Sequence, residues 1–287
     1  MKPETPLKTT LLLLALYLTL AAGAARLHYE KVGLEYHDRR SVLHEQVLAG
    51  DAPAPVQYRA PVFYLAEGLM HAGVSFDVSY MLIRGAFTFL AAVLLHFFLL
   101  RWFTAAGAFL NVALFFALLP ATYFLYYMQP QGPPNLAFFI AGLWLIRDRR
   151  DAAFAPLLFV AMLNRETAVM LVTVYVLYRA DELPLPALLA RGGGLAALAA
   201  AVYVGLRRYF GAQPYYSEFF IYMDNFTYWQ TYAGLATALG VLVFLPWVGL
   251  GGRPKFLARA AGMVPFFIVV HWTVTRMYEP RLFLPLL

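Results

Sequence analysis

The sequence contains no cysteine, which excludes disulfides, thiolate zinc sites and cysteine nucleophiles within the chain. Charge is scarce too: Asp, Glu, Lys and Arg make up 13% of the 287 residues, about half the ~25% that a soluble domain carries. That leaves too little polar surface for a water-soluble globule. Lys and Arg (22) outnumber Asp and Glu (16), for a formal net charge of +6, but the basic residues are scattered in short clusters. The basic stripe of a nucleic-acid partner is missing. So are internal repeats, low-complexity tracts and a soluble domain.

What fills the chain is apolar: 62% hydrophobic and 17% aromatic, the composition of a polytopic integral membrane protein with lipid-facing sides and aromatic belts. The expected fold class is all-α, a polytopic transmembrane helical bundle forming a single domain over 1–287, with 26–64 as its first outer loop. The uncharged run 9–25, behind a polar start with Lys2 and Lys8, reads as an uncleaved first span, although residues 21–25 imitate a signal-cleavage site. The uncharged run 102–146 could cross a ~30 Å core twice as helix. It is broken at 127–135, where Pro130, Gly132, Pro133 and Pro134 stop a helix. Stretches 85–100, 192–206, 225–252 and 260–275 read as further spans. Segments 152–163 and 167–178 are too short to span alone and form either one interrupted helix or a hairpin. The sequence stops inside a last apolar run, 282–287, as a fragment or a truncated gene would.

In the outer loop, Val42, Leu43, Val47 and Leu48 recur at helical spacing beside Arg39, Arg40, His44 and Glu45, which predicts an amphipathic interfacial helix. A second short apolar helix is expected over 60–72. Loop charges set the orientation. With the first residues cytoplasmic, in a multi-pass protein of the plasma or inner membrane, the basic clusters 147–150, 179–191 and 253–259 also fall inside, provided that 152–163 and 167–178 make a hairpin. The rule is satisfied imperfectly, because Arg26, Lys31, Arg39, Arg40 and Arg59 lie in the outer loop.

Charges near membrane depth are costly and mark function by default. This orientation sends Asp38, Glu45, Asp51 and Arg59, then Arg165 and Glu166, then Glu279 and Arg281 to one outer side, where Gln129, Gln131 and Asn135 can join them. A convergent polar set of this kind suits a cavity for a charged head group. Each member has a plainer reading. Arg165 and Glu166 point about 100° apart on a helix and could each hold the bundle through an ion pair. Glu279 and Arg281 could snorkel at a span end, and Asp38 sits in a solvated charge cluster. His271 reads as hydrogen-bonded core. Glu67 and His71 at i, i+4 lack a third ligand, so no metal and no other cofactor is expected. Gly192-Gly193-Gly194 lacks the flanks of a phosphate loop and reads as close helix packing or a flexible helix start.

The order of features resembles the C-type (GT-C) membrane glycosyltransferases that use polyprenyl-phosphate sugars. The resemblance lies in Tyr36-His37-Asp38, Gly50-Asp51-Ala52-Pro53 and Gln57-Tyr58-Arg59-Ala60-Pro61, in Gln129-Pro130, in Leu163-Asn164-Arg165-Glu166-Thr167, and in Tyr278-Glu279-Pro280-Arg281. It spans most of the chain through short, degenerate motifs. It departs from the family where many members carry neighbouring acidic residues, because Asp38 is preceded here by His37. The resemblance implies sugar transfer from a lipid-linked donor to a lipid, glycan or protein acceptor on the extracytoplasmic face, with Asp38 as general base. Arg59, Arg165 and Arg281 would hold the donor phosphate, Glu166 and Glu279 would orient them, and Gln129 and Tyr278 would contact substrate. The competing expectations are a transporter or flippase lined by the same charges and a non-catalytic membrane protein of the same fold. The partners implied are the lipid-linked donor and membrane lipids; oligomeric state is open.

Overall fold

The computed structural model describes residues 7–33, 36–123, 130–215, 222–238 and 254–274. Among these residues there is no strand, only an isolated parallel bridge between Ala54 and Tyr215. Four stretches are long and apolar enough to cross a membrane: Lys8–Val32, Phe76–Leu99, Leu185–Phe210 and Lys255–Thr273. The chain is thus an all-helical membrane protein.

Helix α1 (Leu7–His28) runs on into a π-helical turn, Tyr29–Gly33. After α2 (His37–Ala49) and a 3-10 turn, Gln57–Arg59, come α3 (Pro61–His71) and the long α4 (Phe76–Leu99). Helix α4 is antiparallel to α1. The Tyr17 hydroxyl meets His96 Nδ1 at 2.8 Å, and a Cβ placed on Gly85 would lie 3.7 Å from that of Ala25. The spans therefore have a near end, where α1 begins, and a far end, where it finishes.

Helices α5 (Ala105–Leu118) and α6 (Gly132–Arg147) occupy the uncharged run, but at 14 and 16 residues they rise only about 21 and 24 Å, short of a ~30 Å core. As regular α-helix, each is thus shorter than the full span expected of it. The first passes into a 3-10 turn, Leu119–Tyr123, at Pro120, and the second starts on Pro133 and Pro134, which its first turn tolerates. Helix α4 differs the other way. It starts nine residues before the uncharged stretch, after Gly73 at φ 88 and an extended Ser75, so Asp77 and Arg84 lie inside it.

Helix α7 (Asp151–Asn164), the 3-10 turn Glu166–Val169 and α8 (Met170–Arg179) form the hairpin. Arg165 adopts an extended backbone (φ −163, ψ 131) that ends α7. The chain then folds back until Tyr175 stacks on Phe154 at 5.8 Å and donates to Asp151 Oδ2 at 3.0 Å. Helix α9 (Leu185–Phe210) returns to the far end; α10 (Tyr222–Thr227) and α11 (Trp229–Ala238) follow, then α12 (Lys255–Ala260) and α13 (Met263–Val274).

Ile146, Phe154, Leu158, Leu171, Val174 and Phe267 are buried at 0–1% exposure in the main core, while Leu12, Leu82, Leu110 and Leu189 are more than half exposed. In lipid, apolar area alone does not drive helices together, so close packing carries the association. Gly142 is the clearest case: a Cβ there would come within 2.6 Å of Leu171 Cδ1. Of the three consecutive glycines, Gly192 packs in the same way, 2.9 Å from Val176, while Gly193 and Gly194 face open space.

The near end carries a belt of ion pairs: Arg101 and Arg147 to Asp148, Arg179 to Glu182 and Asp151, Arg191 to Asp151, and Lys255 and Arg259 to Asp181. Helix α2 forms where amphipathicity predicted it and buries Val47 of the predicted apolar set, but it turns polar side chains inward as well. Arg40, His44 and Val47 are buried, whereas Val42 is 53% exposed. Partners decide this orientation. His44 Nδ1 lies 2.8 Å from the Tyr80 hydroxyl and its Nε2 2.9 Å from Glu67 Oε2, and Arg40 donates to Asp77 at 3.3 Å.

Candidate functional site: a polar cluster at the far end

The far end is built around Arg59. The 3-10 turn that carries it is anchored to the end of α9. Tyr58 donates its hydroxyl to the Gly211 carbonyl (3.0 Å) and accepts from the Gln213 amide (3.1 Å), and the Gln213 side chain donates to the Gly50 carbonyl (2.9 Å). Gly50, at φ 85, turns the chain out of α2 in the left-handed region that glycine adopts without strain. The Ala54 amide adds a 2.8 Å bond to the Pro214 carbonyl. Arg207 lies 3.3 Å from the centre of the Tyr203 ring and 4.4 Å from that of Tyr58, a stacked guanidinium that closes the clasp.

Held in this way, Arg59 is 6% exposed and meets Glu166 as a fork. Its Nε donates to Oε2 at 2.9 Å and its Nη2 donates to Oε1. Burial alone would raise the Glu166 carboxyl, but the Arg59 charge and hydrogen bond outweigh it and hold the group down at about 2. Glu166 is thus a committed anion and a weak base.

Gln131 joins the remaining elements. Its side chain donates to the Arg59 carbonyl at 3.4 Å, and its own carbonyl accepts from the Asn164 side chain at 3.2 Å and the Asn135 amide at 3.0 Å. Arg165 (6% exposed), Asn164 and Asn135 (2% each) and His271 (2%) are buried around it. His271 Nδ1 donates to the Phe267 carbonyl, 2.9 Å away, as expected of a core histidine, and lies within electrostatic reach of Arg59, Arg165 and Glu166. The side-chain oxygens of Asn135, Asn164 and Thr167 are buried with no hydrogen-bond partner among the described residues. Such acceptors are expensive in a low-dielectric interior.

No family model matches the chain, and the comparisons with curated proteins and solved structures found no match.

The structure brings together five of the sequence's candidates, Arg59, Gln131, Asn135, Arg165 and Glu166. The Arg59 fork is occupied by Glu166 rather than open. Asp38 stands on the first turn of α2, exposed, with its backbone carbonyl accepting from Ser41 at 2.9 Å; among the described residues no hydrogen bond or ion pair joins its carboxylate to Arg59 or Glu166. Gln129, Tyr278, Glu279 and Arg281 lie outside the described residues. Sequence reasoning missed Asn164 as a site residue although it adjoins Arg165. It also missed the Tyr58–Arg207 clasp, whose one sequence signal is Tyr203 and Arg207 at i, i+4. Glu67 and His71 do pair, at 3.1 Å, and no group of metal-ligating side chains occurs among the described residues.

Proposed function

We propose that the protein is a multi-pass membrane glycosyltransferase of the plasma or inner membrane, with a cytoplasmic N-terminus. It would move a sugar from a polyprenyl-phosphate donor to an acceptor on the extracytoplasmic face. The observation that carries this reading is the far-end cluster itself: buried cations beside buried oxygens that lack donors. Phosphate needs the first, and sugar hydroxyls supply the second. The cation-rich near-end belt agrees with a cytoplasmic near end.

In this reading the acceptor oxygen attacks the anomeric carbon, the bond from that carbon to the phosphate oxygen breaks, and the acceptor proton passes to a base. Glu166 is excluded from that task by Arg59, which leaves Asp38 as the base assigned by resemblance. By the resemblance, Arg165 and Arg281 would stabilise the departing phosphate. Membranes carrying the protein should transfer labelled sugar from a lipid-phosphate donor. Asp38→Asn should lower the rate about 10²-fold or more, the usual worth of a general base, with insertion unchanged. Full activity in that variant overturns the base assignment, and no transfer by the wild-type protein overturns the function. The second reading, a transporter, is favoured by the broken backbone at 164–166; solute flux in proteoliposomes without sugar transfer would select it.

A further inference from the structure

The near end of the bundle carries charge that the transfer reading leaves unused. Its ion pairs draw seven cations onto four carboxylates, because Asp148, Asp151, Asp181 and Glu182 each receive two. Every one of these cations is paired, yet the group keeps a surplus of positive charge, to which the exposed Arg150 adds. The two signs also differ in exposure. The carboxylate side chains are 13–32% exposed, whereas those of Arg149, Arg191, Lys255 and Arg259 are 47–62% exposed. The acids lie underneath and the cations form the outer layer.

These cations make one patch. Arg149 donates to Glu182 at 2.8 Å, the neighbouring Asp181 receives Lys255 and Arg259, and Phe256, between those two, stacks on Trp102 at 6.0 Å. Arg147 lies 5.1 Å from the centre of the Trp102 ring and Arg101 5.3 Å from that of Trp144, whose indole donates to Asp148 at 2.9 Å. Three candidate spans meet the patch: Phe76–Leu99 ends just before Arg101, Lys255–Thr273 begins at Lys255, and Leu185–Phe210 carries Arg191 in its second turn. Span ends and indole rings both mark the depth of lipid head groups. Leu185 and Leu189, each 64% exposed, lie in the same stretch of α9 as Arg191, so the cations adjoin lipid-type surface. A ligand with an anionic head and apolar tails satisfies both, whereas a soluble anion satisfies only the first.

We propose that the near-end belt is a binding surface for anionic phospholipids, whose head-group phosphates the outer arginines and Lys255 engage. Guanidinium geometry matches phosphate, and each cation at the membrane surface favours an anionic head group about five-fold. The proposal does not depend on sugar transfer, nor on which side of the membrane the near end faces.

The test is native mass spectrometry of the full chain in neutral detergent with an equimolar mixture of phosphatidylglycerol and phosphatidylcholine of identical tails. Bound lipid should be enriched in phosphatidylglycerol at least about five-fold, as one engaged cation requires. Arg149→Gln, Arg191→Gln, Lys255→Gln and Arg259→Gln combined should bring the enrichment below about two-fold, and salt at about 0.5 M should do the same in wild type by screening. Arg149→Lys, Arg191→Lys and Arg259→Lys combined should keep most of it. If the combined Gln variant fails to fold, the pairs Arg149→Gln with Arg191→Gln and Lys255→Gln with Arg259→Gln should each remove part. Arg208→Gln, which deletes an exposed cation at the far end, should leave the enrichment unchanged and separates the belt from net charge. Equal binding of the two lipids by wild type, an enrichment that survives the Gln variants of the belt, or one that Arg208→Gln lowers as much as they do, overturns the proposal.

Discussion

Replacing Glu166 by Gln should expose how much the far end depends on one ion pair. The substitution leaves Arg59, whose side chain is 7% exposed, without the carboxylate that receives its fork. Removing one partner of a buried pair costs about 3–5 kcal/mol. The Glu166 side chain is 33% exposed, so water recovers part of the loss and about 2–3 kcal/mol is expected. Arg59→Met orphans the better-solvated partner and should cost less, about 1–2 kcal/mol. The double variant strands no charge and should cost no more than Arg59→Met alone, which gives a favourable coupling of about 2–3 kcal/mol.

The pair also sets an acid dependence. The Glu166 carboxyl sits at about 2 in the fold against an ordinary 4.5, so between those values the unfolded chain binds more protons. Stability from this group is therefore complete above about pH 4.5 and is lost as pH falls toward 2. Unfolding followed by tryptophan fluorescence in neutral detergent, from pH 7 down to pH 3, measures both effects. Wild type should lose stability across the acid limb more steeply than Glu166→Gln. Additive single substitutions, or equal acid slopes in the two proteins, would refute the reasoning.

Two further outcomes follow from packing and topology. Gly142→Ala should destabilise by about 1–3 kcal/mol, because its Cβ would press on Leu171, a fully buried side chain with little room to swing. Adding Leu171→Ala to Gly142→Ala should relieve the clash though not the cavity it opens, and a Gly142→Ala protein as stable as wild type would contradict the close approach. The absence of cysteine permits a clean accessibility test. Single cysteines at His71 and Lys255, whose side chains are 79% and 55% exposed, should react with an impermeant maleimide from opposite sides of sealed vesicles. Labelling from the same side would refute the two-ended arrangement.

The sequence by itself determined the solvent and the helices. Runs without charge must bury their backbone polar groups in helices wherever lipid surrounds them, so α1, α9 and α13 are legible as apolar stretches, and the prolines before Asn135 announce the start of α6. It did not determine how charged segments would be used. Helix α4 begins nine residues earlier than its uncharged stretch suggests, because Asp77 and Arg84 find their surroundings in α2 and α1 rather than in water. Helix α2 turns Arg40 and His44 inward for the same reason: hydrogen bonds to Asp77, Tyr80 and Glu67 outweigh the burial of Val42. The site shows the same division. That Arg59, Arg165 and Glu166 share an end of the bundle could be read from loop order, but the fork between Arg59 and Glu166 joins residues 107 positions apart. The clasp of Tyr58 on Gly211 and Gln213 spans more than 150 positions. Local propensity carries no information at such separations. Only the packing of α7, α8 and α9 around the turn that carries Arg59 decided which charge would meet which, and it set the Arg59 guanidinium on the Glu166 carboxylate.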